Sequence, residues 1–405
     1  MTIPIRLLSI ALTTLLSIII MGRSELAVSA SNKIKPQKAT VDSSRWSRTF
    51  TTFTNYPATV IGTSDGGYLI TGTRLEGPKT SNSFLWFLKT DRNGRKLWEK
   101  TVGARKNSSH SAWASNNRGY AAVETSDGYL ATGIRDLSAQ HGGSAWNELW
   151  VVKLAKNGSL LWEKAYGCRW GTSSSAGEGR SIIEPVDGGI LVAGTGSIGG
   201  ATEAWLLRLD KNGNRLWEKF LGSSDETVSV AKTPDGHFYA ALTTPDNHAV
   251  IMRLDSSGTI LWRHQINQYQ RSSLGSISAS GDGGVILAGS GDSYGLLVKF
   301  SPAGSLLWHK TFAKQNAKLM DVKETPDKGF MAVGGASSGT AHLLIIKTDG
   351  EGKVAYDQEI TDRQMATGQS LAQSSDGGFA GIALDDRGTS IKLFRLKDTG
   401  TMVGW

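Results

Sequence analysis

Leu206-Leu207-Arg208-Leu209-Asp210-Lys211-Asn212-Gly213-Asn214-Arg215-Leu216-Trp217-Glu218-Lys219 is an apolar run, a polar turn and a second run carrying a tryptophan. That order reads as two strands joined by a hairpin, because Asp, Asn and Gly tolerate the positive φ of tight turns. The cassette recurs at Phe87–Lys100, Val151–Lys164, Ile251–His264, Leu297–Lys310 and Ile345–Gln358, and in degraded form at Leu393–Trp405. A second hairpin signal, Asp-Gly between short apolar runs, precedes each copy. Its aspartates are Asp65, Asp127, Asp187, Asp235, Asp282, Asp327 (followed by Lys328-Gly329) and Asp376. Two hairpins per unit make four strands, a to d. Seven such units, each of roughly 45–64 residues, predict an all-β chain: a seven-bladed β-propeller of four-stranded antiparallel blades.

Tryptophan spacing predicts how the ring closes. Four residues past each cassette glycine stand Trp98, Trp162, Trp217, Trp262, Trp308 and Tyr356, but the seventh unit has Gly404 there. Trp46-Ser47-Arg48-Thr49-Phe50 resembles Trp217–Phe220, so the N-terminal strand is expected to complete the last blade. Closure removes two open sheet edges that would invite aggregation. The repeated tryptophans read as packing between sheets, where one ring buries roughly 150–250 Å². Trp86, Trp150 and Trp205 fill a second repeated slot and read as core.

The pattern Leu-Asp-x-x-Gly-Asn-x-Leu-Trp at Leu209–Trp217 resembles the tryptophan-docking motif of quinoprotein-type propellers. That superfamily includes quinone-dependent dehydrogenases and non-enzymatic envelope-assembly propellers. Asp65-Gly66-Gly67-Tyr68-Leu69 is similar to repeats of many secreted bacterial propellers. The resemblance covers nearly all of residues 46–405. It departs from the dehydrogenases in having seven units instead of eight and no adjacent Cys pair, and the sequence assigns no cofactor.

The N-terminus carries a different signal. Arg6 precedes an apolar run, Leu7 to Met21, and Val28-Ser29-Ala30 is a small-x-small cleavage pattern. The run is shorter than the roughly 20 residues of a membrane-spanning helix. The expected organisation is a signal peptide over 1–30, a flexible lead-in over 31–45 and the propeller over 46–405. This implies a secreted or periplasmic protein with no transmembrane segment after cleavage. The net charge is +8, and removal of residues 1–30 leaves +7. No Lys/Arg block marks a nucleic-acid track. Cys168 is the single cysteine, which excludes an internal disulfide framework.

Strand order puts the a–b and c–d turns on one face, the hairpin face, and the b–c and d–a connections on the other, the loop face. Length variation concentrates on the loop face of the first three units: Thr73–Ser83, Val102–Arg118, Gly133–Glu148, Gly167–Arg180 and Gly194–Glu203. Long loops on a rigid scaffold are common binding elements. The candidate ligand-binding residues there are Arg105, His110, Trp113, Arg135, His141, Trp146, Arg169, Trp170 and Arg180. Arg and Trp together suit an anionic or carbohydrate ligand, through charge-assisted hydrogen bonds and ring stacking.

Catalytic and metal signals are weaker. Glu124, Glu184 and Glu324 share one slot, with Lys232 and Gln373 in the same place. A ring of such side chains around the channel offers carboxylate pairs of the kind a glycosidase needs, or a solvated polar rim. Asp210-x-Asn212-Gly213-Asn214 has calcium-loop spacing without the distal Glu, and hairpin chemistry explains it. Gly194-x-Gly196 and Gly291-x-Ser293-x-Gly295 match nucleotide-binding and nucleophile patterns by letter, without the helix either one needs. The expected function is therefore an extracytoplasmic binding or scaffold propeller, monomeric, with an envelope protein or an anionic or carbohydrate ligand on the loop face. The alternative is an enzyme acting on extracellular polysaccharide or, at a further remove, a quinone-dependent oxidoreductase.

Overall fold

Each repeat folds into one four-stranded antiparallel sheet, and seven sheets make up the ring. The computed structural model describes residues 47–51, 59–76, 82–103, 116–137, 146–167, 177–224, 228–337 and 339–402. No helix occurs among them. The N-terminal strand, β1, is Ser47–Thr51. Blade 1 is β2 (Thr59–Gly62), β3 (Tyr68–Leu75), β4 (Ser83–Thr90) and β5 (Lys96–Val102). Blade 2 is β6 (Arg118–Thr125), β7 (Gly128–Asp136), β8 (Asn147–Ala155) and β9 (Leu160–Tyr166). Blade 3 is β10 (Gly177–Ile183), β11 (Ile190–Ile198), β12 (Ala201–Leu209) and β13 (Arg215–Ser223). Blade 4 is β14 (Val228–Lys232), β15 (Phe238–Thr243), β16 (Ala249–Leu254) and β17 (Ile260–Gln265). Blade 5 is β18 (Ser272–Ala279), β19 (Val285–Gly291), β20 (Tyr294–Phe300) and β21 (Leu306–Gln315). Blade 6 is β22 (Ala317–Glu324), β23 (Phe330–Ser337), β24 (Ala341–Thr348) and β25 (Val354–Ile360). Blade 7 is β26 (Thr367–Gln373), β27 (Phe379–Leu384) and β28 (Ser390–Leu396), completed by β1.

The first strand of every blade lines a central cavity. These strands neighbour one another right round the ring, and β26 returns to β2. Closure follows the sequence expectation: β1 pairs antiparallel with β28, from Ser47 opposite Phe394 to Thr51 opposite Ser390. Trp46 lies outside the described residues. Across the closing seam the Tyr68 hydroxyl is 2.7 Å from Ser374 Oγ and accepts from Arg395 Nη1 at 2.6 Å. Val60, Tyr68 and Ile70 share an apolar layer there with Ala380, Ile382 and Leu393.

The c strands sit between neighbouring blades on both faces, so they read as continuous apolar runs; all of Ser83–Thr90 is buried. A basic residue stands at one repeated position of each run, Lys89, Lys153, Arg208, Arg253, Lys299, Lys347 and Arg395, and blade 7 adds Lys392. A buried cation needs a counter-charge. In every blade the a–b turn aspartate supplies it; the Lys89–Asp65, Lys299–Asp282 and Lys347–Asp327 pairs are each 2.8 Å apart. Partial burial alone would raise the Asp65 and Asp327 carboxyls. Hydrogen bonds from the lysine, from Thr63 or Thr325, and from a glycine N–H outweigh it and hold both at about 2. Where a glycine stands two residues after the turn aspartate, it makes room for this pair. A Cβ on Gly329 would lie 2.0 Å from the Thr348 carbonyl and 2.5 Å from Lys347 Nζ.

The outer tryptophans fasten each blade to the next. A Cβ on Gly158, Gly213 or Gly258 would stand 3.0 Å from the ring of Trp98, Trp162 or Trp217 in the preceding blade. Trp262 and Trp308 add hydrogen bonds from Nε1 to the next turn, to Pro302 O at 3.0 Å and Gly350 O at 2.9 Å. Trp86, Trp150 and Trp205 are at most 1% exposed, as expected of core.

Candidate functional site

Two regions depart from the seven-fold repeat: the loop face of blades 1 to 3, and the half of the central cavity that opens toward it.

On the loop face, Arg135 and Trp146 lie at the base of the b–c hairpin of blade 2. The Leu137 N–H donates to Trp146 O at 2.7 Å. Trp146 Nε1 donates to Glu148 Oε1 at 3.4 Å. The Arg135 guanidinium lies 4.8 Å from the Trp150 ring centre, with Nη1 3.5 Å from Glu163 Oε2. Blade 1 has the same trio: Arg74 pairs with Glu99, which accepts from Trp86 Nε1 at 2.9 Å. In blade 3, Arg215 lies 5.9 Å from the Trp205 ring and bonds Glu218 at 2.9 Å. Blades 4 to 7 put Val250, Leu296, Leu344 and Lys392 in the tryptophan's slot. Large aromatic and charged groups are therefore packed together in blades 1 to 3.

Arg105, His110, Trp113, His141, Arg169 and Trp170 lie outside the described residues. Arg180 is brought to a different place from the one its sequence position suggests. The expected loop Gly167–Arg180 ends earlier, because β10 begins at Gly177, and Arg180 stands in the cavity wall. A second boundary also moves. Gly194–Glu203 is not a loop: β11 and β12 continue through it to a two-residue turn at Gly199-Gly200, both with positive φ. Gly291–Gly295 is likewise a tight hairpin, with Asp292 and Ser293 at φ 47° and 71°.

Two of the repeated glutamates, Glu124 and Glu324, act as clamps between blades. Glu124 accepts from Ser64 N at 2.7 Å and Ser64 Oγ at 2.9 Å, both in the preceding blade's a–b turn. Glu324 accepts from Gly281 N at 2.7 Å in the same way. The calcium-like spacing is turn chemistry as well, since Asp210 Oδ1 accepts from Asn212 N and Asn214 N, each at 2.8 Å.

The cavity encloses about 1050 Å³. Its waist is a belt of short polar side chains that sequence reading missed, six residues before each turn aspartate: Thr59, Ser181, Ser229, Ser276, Asp321 and Ser370, with Ala121 in blade 2. Each polar member bonds the next blade. Ser181 Oγ accepts from Val230 N at 3.3 Å, Ser229 Oγ from Ile277 N at 3.4 Å and Ser370 Oγ from Val60 N at 3.3 Å. Thr59 donates to Tyr120 O at 2.7 Å. Asp321 joins three blades, accepting from Ser276 Oγ at 3.0 Å, Ser370 Oγ at 3.1 Å and Leu371 N at 2.8 Å. Ala121 interrupts the belt between blades 2 and 3. At that seam Arg180 lies 4.3 Å over the Tyr120 ring and pairs with Glu178. Among the described residues no group of His, Cys, Asp and Glu side chains is placed to hold a metal ion.

None of the curated proteins compared matches the sequence. Among solved structures, the WD40 domain of Neurospora crassa Pan2 is 14% identical and covers 88% of this chain and 97% of its own, with a TM-score of 0.55. The Dos1 propeller is 10% identical, with 86% and 94% covered and a TM-score of 0.51. A puromycin hydrolase mutant complexed with PGG is 14% identical, with 87% and 54% covered and a TM-score of 0.55. At such identities the likeness is one of fold. A family model described as outer membrane protein assembly factor BamB matches residues 148–387, more than half of the chain, from blade 2 into blade 7. The ring of seven blades and this match together place the chain in the BamB family of quinoprotein-type β-propellers.

Proposed function

We propose that this protein is an extracytoplasmic binding or scaffold propeller that holds its partner on the loop face of blades 1 to 3. One observation carries the reading: from blade 1 to the connection that leads into blade 3 the repeat is broken on one face, with long connections beside the Arg–Trp–Glu clusters of these blades. The hairpin face stays short and uniform. The family's description, an outer membrane protein assembly factor, supports an envelope protein as the partner. Arg and Trp at the same place also suit an anionic or carbohydrate ligand. The Arg6–Met21 leader supports export, and ring closure supports a monomer that needs no second copy to cover its sheet edges.

The test is capture from envelope fractions by the exported protein and by a variant carrying Trp113→Ala, Trp146→Ala and Trp170→Ala. The expected result is a partner held by the wild type and lost by the variant, with thermal unfolding little changed. Unchanged capture, or a variant that unfolds as readily as Trp217→Ala, contradicts the proposal.

A further inference from the structure

A third departure from the repeat lies on the loop face of blade 6. His342 stands near the start of β24, two residues before the slot that holds tryptophan in blades 1 to 3, and Glu359 faces that slot from β25. The imidazole bonds at both ends: Nδ1 to Glu359 Oε1, and Nε2 to Thr340 Oγ1 at 2.6 Å. Only blade 4 repeats the histidine, as His248. In the place of Glu359 the other blades have Thr101, Ala165, Phe220, Gln265, Thr311 and Thr49, none of them a carboxylate. Hydrogen-bond chemistry orders the donors in this chain. A carboxylate only accepts, so Nδ1 carries the hydrogen; Nε2 of the neutral ring then accepts, and the Thr340 hydroxyl donates to it. The His342 side chain is 12% exposed and that of Glu359 24%, so protein contacts hold the ring in place. Thr340 itself is exposed. Its turn is tied down at the base, where Ser337 N donates to Asn316 O at 3.2 Å and Asn316 Nδ2 donates to Ser337 O at 3.4 Å. Beside Thr340 there is open space: a Cβ added to Gly339 would meet nothing within 4 Å.

We infer that Thr340 is a nucleophilic hydroxyl that accepts an acyl group from an activated ester, with His342 as its general base and Glu359 as the positioning residue. A hydroxyl within hydrogen-bond reach of a base, itself oriented by a third group, is the signature of an activated nucleophile. Thr340 Oγ1 attacks the ester carbonyl carbon, and its proton passes to His342 Nε2. The bond from that carbon to the leaving oxygen breaks, and the proton moves on to this oxygen. The products are an acyl-threonine and an alcohol. A water molecule that gives a proton to the same nitrogen then attacks the acyl carbon, releasing a carboxylic acid and restoring the hydroxyl. Glu359 keeps Nε2 in its accepting tautomer and offsets the charge that the ring acquires.

The experiment treats the purified protein with p-nitrophenyl acetate and follows two readouts: release of p-nitrophenol, and acetylation of individual threonines by mass spectrometry after an acid quench. The background is set by Thr399, an exposed turn hydroxyl that lies 3.2 Å from Thr401 Oγ1. Acetylation of Thr340 well above that of Thr399 is expected. Thr340→Val should abolish the excess nitrophenol release, and Thr340→Ser should keep it. His342→Ala should slow acetylation of Thr340 at least roughly a hundredfold, and free imidazole added to that variant should restore part of the rate. Glu359→Gln should slow it by a smaller factor and remove the downfield proton resonance expected of a carboxylate-bound His342 Nδ1–H. Acetylation of Thr340 no faster than that of Thr399, or a rate unchanged by His342→Ala, overturns the assignment. The triple tryptophan variant should acetylate as the wild type does, since blades 1 to 3 take no part, so this reading and the partner on the loops can fail separately.

Discussion

Lys347 is 3% exposed in an otherwise apolar strand, and its charge is matched by the Asp327 carboxylate on the a–b turn of its own blade. The same arrangement in all seven blades makes these pairs the main pH-sensitive part of the fold. Asp327 is held at about 2 in the folded state, below the roughly 3.9 of an unfolded aspartate. The stability it contributes is complete above that unfolded value and is lost as pH falls toward 2. Acid unfolding followed by circular dichroism should therefore be steep between about pH 4 and pH 2. Asp327→Asn should lower stability at pH 7 by about 2 kcal/mol, with a smaller loss relative to the wild type at pH 2; equal losses at both pH values would contradict the pairing. Part of this was legible in the sequence. A basic residue stood in the apolar half of every cassette, Arg208 in the copy quoted first. Its partner stayed hidden because turn chemistry alone already accounts for an aspartate before glycine. Arg180 was misplaced for a related reason: a bulge leaves no trace in an alternating pattern.

Among elements, the outer strand of each blade does two jobs with neighbouring residues. Trp217 closes over Gly258 of the next blade, whereas Leu216 is 59% exposed. Trp217→Ala should destabilise by about 3 kcal/mol, and Leu216→Ala by less than about 0.5. Chemical denaturation of the two variants checks the difference. Gly258→Ala should damage the same contact from the other side, because its added Cβ meets the ring at 3.0 Å and its φ is +83°. These elements were the most legible part of the chain, since hairpin residues and tryptophan spacing follow from local rules. Loop boundaries were less so. Thr195–Ile198 and Ala201–Glu203 extend β11 and β12 past the expected strand ends, because strand pairing continues wherever a two-residue glycine turn allows it.

At the scale of the molecule, closure is what turns seven similar hairpin pairs into one cavity and two distinct faces. The belt of hydroxyls with Asp321 at its node links the blades at the waist. Asp321→Ala removes acceptors shared by Ser276, Ser370 and Leu371, and a drop of several degrees in Tm is expected, measured by calorimetry. The candidate site was less legible than the architecture, because a repeat advertises what its copies share, whereas a candidate site is sought where one copy differs. The most direct test of the closed ring is hydrogen exchange at the backbone amides of Ser390–Leu396, the strand that β1 covers. The full chain should protect the amides of β28 that donate to β1, and deletion of residues 47–51 should make them exchange rapidly while β16 of blade 4 stays protected. Fast exchange of those amides in the intact protein, or protection unchanged by the deletion, would contradict closure by the N-terminal strand.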